Sequence, residues 1–163
     1  MAGQYLFNRL KNGGVKMLYE IETIKIKYNI SDAAPDAQKI SSSAQAAALL
    51  QEIYKGLDVD QEHLILLALN SDNKITGYKV LFSGGQNECT MDFKIIFRSA
   101  LFLGAAGIII AHNHPSGALN ASNHDREFTR ELKKASELMG IRYLDHIIIT
   151  PYGGYYSLTD NGI

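Results

Sequence analysis

The sequence predicts an α/β fold, a mixed β-sheet with helices on its faces, and three observations carry that expectation. Residues 63–69 and 75–82 are apolar runs on either side of the polar Ser71-Asp72-Asn73-Lys74, the pattern of a β-hairpin. Gly107 to Ala111 is short and wholly apolar, like a strand buried in the middle of a sheet. Stretches with apolar residues at helical spacing separate these runs, so the order mixes a hairpin with strand–helix–strand units.

Residues 1–16 show no clear period and end at Gly13-Gly14. They read as a tail or extension, with Met17 an alternative start and 17–163 a single domain. Ile24, Ile26, Tyr28 and Ile30 then alternate with Lys25, Lys27 and Asn29, as in a half-buried strand. A polar connection through Pro35 leads to Ser41–Ser43, which can cap a helix over Ala46, Leu49, Leu50, Ile53 and Tyr54, ended by Gly56. After the hairpin, Gly84-Gly85 opens a loop. Thr90 or Asp92 can start a helix over Phe93, Ile96, Phe97, Ala100 and Leu101, closed by Gly104. The buried strand 107–111 gives way to a loop over 112–121. A helix from about Ser122 to Met139 follows, stopped by Gly140, and 143–150 and 155–158 are strands around Pro151 and Gly153-Gly154.

Composition sets limits on function. A chain of 163 residues with 46% hydrophobic and 20% charged residues has the size and balance of one globular domain. Its lone cysteine, Cys89, rules out an intramolecular disulfide and a cysteine-based zinc finger, and fits a reducing compartment. The net charge of −1 offers nucleic acid no global attraction. Lys25 with Lys27, and Arg126 with Arg130, Lys133 and Lys134, read as ordinary solvated charges. The longest apolar run, 100–111, has 12 residues, short of the roughly 18 a membrane span needs. The N-terminus has no apolar core like that of a signal peptide, so the expected location is cytoplasmic.

Chemistry concentrates in one stretch. Three of the five histidines fall within residues 112–125, AHNHPSGALNASNHD counted from Ala111. The stretch begins where a buried strand ends, the place where open α/β sheets bind ligands. Residues two apart on an extended chain point the same way, so His112 and His114 project together while Asn113 faces away. Residues 115–121 can turn the chain back and bring Asp125, in the first turn of the next helix, to the same point. Two imidazoles and a carboxylate suit Zn²⁺ and leave a fourth position for water, whose pKa such a metal lowers to about 7. The plainer alternative makes these polar loop residues, with Asp125 complementing the helix dipole. Ser122 has two roles open to it. It can cap the helix, with Asp125 closing a capping box, or direct its hydroxyl at a developing oxyanion. His124 adjoins the better-placed Asp125. H-E-x-x-H, phosphate-binding glycine loops, P-C-x-x-C and G-x-S-x-G are all absent, and Val59 stands where an inverted zinc motif would need histidine.

His112-x-His114-Pro115 followed by Ser122-x-x-Asp125 resembles the JAMM (MPN+) metalloprotease motif. The fuller His112-Asn113-His114-Pro115-Ser116-Gly117, with Leu144-Asp145-His146 and Ser157-Leu158, is similar to the RadC family in particular, over roughly residues 36–163. The resemblance implies an α/β/α sandwich like that of cytidine deaminase, with His112, His114 and Asp125 as zinc ligands and Ser122 as the motif serine. The motif's upstream acid falls on Glu62, with Glu88 the fallback in another register. It further implies hydrolysis of an amide or isopeptide bond in a peptide or protein, with Glu62 as proton carrier and Ser122 steadying the oxyanion. Two departures stand out. RadC-like proteins often carry an N-terminal helix-hairpin-helix region associated with DNA contact, for which this chain has no room, and Ala121 stands where the family usually has proline. Asp145 is a candidate to support a ligand histidine, or to pair with His146. A metal-dependent hydrolase is therefore the leading expectation. The alternatives are a non-enzymatic binding module in DNA repair or mobile DNA, and a closed structural zinc site.

Overall fold

A computed structural model describes residues 39–58, 60–84 and 92–163, together with the backbone of two short strands, β1 (Phe7–Arg9) and β2 (Val15–Met17). The chain falls into two compact units, Met1–Ser31 and Asp32–Ile163. In the first, β1 and β2 pair antiparallel, Asn8 opposite Lys16. The strand expected over 24–30, the connection through Pro35, and Glu88, Cys89 and Thr90 lie outside the described residues.

In the second unit, α1 (Ser43–Tyr54) starts at Ser42, whose hydroxyl accepts the Gln45 N–H. Strands β3 (Glu62–Leu69) and β4 (Ile75–Gly84) form the expected antiparallel hairpin. Its turn is held by the Asn70 carboxamide, which accepts from the N–H groups of Asp72 and Lys74. Helix α2 (Phe93–Phe102) is capped by Asp92, so of the two candidate starts the side chain at 92 accepts the Lys94 N–H. Then come β5 (Gly107–Asn113), α3 (Asn123–Leu138), β6 (Arg142–Ile149) and β7 (Tyr155–Ser157). Gly140, at φ 65°, takes the left-handed conformation that ends α3.

The five strands order as β4-β3-β5-β6-β7, with β5 antiparallel to β3 and parallel to β6. The sheet is mixed, as the sequence predicts, and helices cover both faces. Successive strand residues point to opposite sides. Ile65, Leu67, Leu69, Ile109, Ala111, Ile147 and Ile149 therefore pack against Ala46, Ala47, Leu50 and Tyr54 of α1. Leu64, Leu66, Ile108 and Ile110 meet Ile96, Phe97 and Ala100 of α2 and Phe128 and Leu132 of α3. The result is a three-layer α/β/α arrangement with β5 at its centre. Two strands run further than expected: β4 continues past Phe82 to Gly84, which pairs with Glu62, and β5 runs on through His112 and Asn113, because His112 pairs with Leu64 on one side and Ile148 on the other. Among the described residues no helix is long and apolar enough to cross a membrane.

Candidate metal centre

The site grows from the C-terminal end of β5. His112 follows Ile108 and Ile110 onto the face covered by α2 and α3, where it is 1% exposed. Across the ladder it faces Leu64. Continuing that antiparallel register by two residues sets Glu62 level with His114 and on the same side of the sheet. Past the strand, the His114 N–H still bonds the Ile149 carbonyl, and the Gly117 N–H returns to the His114 carbonyl at 3.0 Å. Gly117 has φ +80°, and a Cβ there would meet the Tyr152 ring at 2.6 Å, so this turn requires glycine.

The loop orients the second imidazole. His114 Nδ1 lies 2.8 Å from the Ala118 carbonyl, which only accepts, so Nδ1 donates and Nε2 keeps its lone pair. His114 Nε2 is 2.9 Å from His112 Nε2, which is 3.5 Å from Asp125 Oδ1. One ligand atom from each of His112, His114 and Asp125 lies within 4.8 Å of the others. Two imidazole nitrogens and a carboxylate oxygen, mutually this close and partly screened from water, form a donor set that fits a divalent metal ion.

Asp125 serves the helix and the cluster at once. Its Oδ2 accepts from the Ser122 N–H (2.8 Å) and hydroxyl (2.6 Å), while the Asp125 N–H donates to Ser122 Oγ (3.1 Å), completing a capping box. Oδ1 faces the histidines. The two roles that compete on paper are thus divided between two oxygens, and the Ser122 hydroxyl proton is directed at Asp125. Electrostatics suit the arrangement. Burial holds His112 well below the ordinary histidine value, leaving it neutral. Burial acts to raise Asp125, the two bonds that Ser122 donates to Oδ2 favour its ionised form, and the carboxyl lies below the usual carboxylate range.

Glu62, His114, Asp60, Pro115 and Ser116 line a cleft of about 700 Å³. Burial raises the Glu62 carboxyl above its ordinary 4.5, partly opposed by His114 and reinforced by Asp125. That moves it toward neutrality, where a proton carrier works best.

The sequence assigned no role at the site to Asn113, Thr129 or His146. Asn113, facing away from the histidines as expected, accepts the His63 N–H at 2.7 Å and donates to the Gln61 carbonyl at 2.8 Å, clasping the chain on either side of Glu62. His146 Nε2 lies 2.7 Å from His112 Nδ1, and its Nδ1 lies 2.7 Å from Thr129 Oγ1. Burial brings His146 down to about 4. Asp145 neither supports a ligand histidine nor pairs with the His146 ring. Neighbours on a strand point to opposite faces, so Asp145 instead accepts from the Ser157 hydroxyl, the Thr159 N–H and the backbone N–H of His146. Alternation along 145–149, past the irregularity at Leu144, was a signal that could have separated the two.

Comparison with known proteins matches this chain over residues 40–163 to the family described as RadC-like JAB domain. It is 39% identical over 126 residues to a UPF0758 protein of Flavobacterium johnsoniae, covering 77% of this chain and 54% of that protein. It is 43% identical over 122 residues to a UPF0758 protein of Enterococcus faecalis, covering 75% and 51%. A third, from Porphyromonas gingivalis, is 35% identical over 133 residues, covering 82% and 58%. The chain thus spans about half the length of the curated relatives it matches. Motif, sheet order and these matches agree, and the chain belongs to the RadC family, with a RadC-like JAB domain over residues 40–163.

Proposed function

We propose that the chain is a zinc-dependent hydrolase of the JAMM type that cleaves an amide or isopeptide bond in a peptide or protein. The observation that carries this reading is the convergence of His112, His114 and Asp125 within 4.8 Å, beside a cleft walled by Glu62. Three protein ligands leave room for a further, exchangeable one, which distinguishes a catalytic site from a closed structural one. Bound there, zinc supplies Lewis acidity toward a carbonyl and makes water a nucleophile near neutral pH.

The rest is the work of the chain. His112 and His114 present imidazole nitrogens, and Asp125 supplies a carboxylate oxygen. Glu62, clasped by Asn113 through its two neighbours, takes a proton from the attacking water and passes it to the leaving amine. Ser122 holds Asp125 in its ligand orientation, and its hydroxyl is the candidate donor to the oxyanion when substrate fills the cleft. A nucleic-acid-binding reading finds less support, since Arg126, Arg130 and Lys134 share their surface with Glu127 and Glu131.

The test is the zinc content of dialysed, tag-free chain beside His114→Ala and Asp125→Ala. About one zinc per chain, lost in both variants while the fold is kept, supports the reading. A wild type that takes up no zinc when it is offered removes the hydrolase reading.

A further inference from the structure

We propose that His146, held by Thr129, is a positioning residue that fixes His112 in the tautomer whose Nε2 lone pair faces His114 and Asp125. The inference deepens the metal reading of this site and rests on it.

Hydrogen-bond direction carries it, starting from a group that cannot donate. The main-chain carbonyl of Asp125 lies 2.6 Å from Thr129 Oγ1, so the single hydroxyl hydrogen of Thr129 points there. Toward His146 Nδ1, 2.7 Å away, Thr129 Oγ1 can then only accept, and Nδ1 carries the hydrogen. His146 is 0% exposed and edge-on to the Phe128 ring, surroundings that keep an imidazole neutral with a single N–H. Its Nε2 therefore accepts, and the donor 2.7 Å away is His112 Nδ1–H. His112 Nε2 is left bare, 2.9 Å from the equally bare His114 Nε2 and 3.5 Å from Asp125 Oδ1.

Three acceptors thus converge, with no hydrogen among the described residues directed between them. The tautomer that would suit a metal-free site, with His112 Nε2–H donating to Asp125, is the one this chain of bonds opposes. The relay begins four residues after Asp125 on the same helix, so α3 supplies both a ligand and the anchor that orients another. Partners of this kind set the tautomer and ring orientation of ligand histidines.

Two measurements test the proposal. The first needs no variant: nitrogen-15 NMR of the imidazoles in metal-free wild-type chain. His112 is expected to show a protonated Nδ1 and a bare Nε2. A protonated Nε2 on His112 overturns the proposal, whatever the zinc affinity. The second is zinc affinity by competition with a chelating indicator. His146→Leu, which removes the acceptor, should weaken zinc by about 10–100-fold, and His146→Gln, whose amide oxygen can stand in for Nε2, should restore most of it. Thr129→Val, isosteric but without the hydroxyl, should weaken zinc to a lesser degree. A His146→Leu variant that binds zinc as the wild type does overturns the inference and leaves the metal reading intact. A wild type that binds none removes the metal reading, and the metal-free tautomer still decides the inference.

Discussion

Ser122→Ala offers a direct probe of how helix and site share one carboxylate. The substitution removes the acceptor that caps the Asp125 N–H and the hydroxyl that donates to Oδ2, but leaves the Ser122 N–H on Oδ2 at 2.8 Å. Loss of an N-cap side chain costs about 1 kcal/mol. The bond from hydroxyl to carboxylate would add about 1.5–3 kcal/mol if sealed from water. Ser122 is exposed, though, and solvent replaces much of that donor, so the total should be about 1.5–2 kcal/mol. For a unit of this size that lowers Tm by about 3–8 °C. The pH dependence follows from the direction of the Asp125 shift. Its carboxyl lies below the ordinary value in the folded chain, so its ionised form contributes stability that is full above about pH 4 and fades as pH falls through the folded value. Ser122→Ala brings Asp125 back up and loses part of that contribution. The gap between wild type and variant should therefore be largest near pH 7 and narrow below about pH 4. Thermal unfolding by circular dichroism, with a chelator present to exclude metal, measures it, and Ser122→Thr should behave as wild type. A gap that stays constant from pH 7 to pH 3, or no gap at all, would refute the shared-carboxylate account.

Further expectations concern the proton carrier and the scaffold. Glu62→Gln should retain zinc but lose hydrolysis of a peptide or isopeptide substrate by about 10²–10⁴-fold. In the wild type the same activity should fall as pH drops through a value above the ordinary 4.5 of glutamate, since burial raises this carboxyl. Asn113→Ala leaves the His63 N–H and the Gln61 carbonyl without their buried partner and should cost about 2–4 kcal/mol in urea unfolding. Leu132→Ala, at a side chain with no exposure, should cost about 2–5 kcal/mol by the same assay. Leu138→Ala on the same helix, 90% exposed, should stay within about 0.5 kcal/mol of wild type.

Much of this is legible in the sequence, because it rests on local chemistry. The Ser41–Ser43 cluster, the polar turn between the hairpin strands and the Ser122-x-x-Asp125 spacing act through neighbours a few residues apart, and each appears where it was read. The pairing of His112 with His114 is local too, a consequence of strand alternation. What could not be read is long-range register. Only the placement of β5 between β3 and β6 brings Glu62 level with His114 and sets His146 beside His112. The end of β5 was misjudged for a similar reason: polar His112 and Asn113 look like loop in isolation, and their partners lie on other strands. Glu62 was reached through the motif resemblance; His146 stood in the recognised Leu144-Asp145-His146 without a role at the site, and Thr129 stood in no motif.

The central strand also sets the pace at which the site can move. Every residue of β5 is buried and it has a neighbour strand on each side, so it offers no edge from which to fray. Segments of that kind exchange their amide hydrogens only when the whole fold opens. His112 should therefore keep time with global unfolding, while His114, one residue past the last paired position and tied to the sheet by its N–H bond to the Ile149 carbonyl, should exchange sooner through local opening of the 114–121 turn. Two imidazoles of one cluster would then run on separate clocks, and an ion held between them would leave by the faster one.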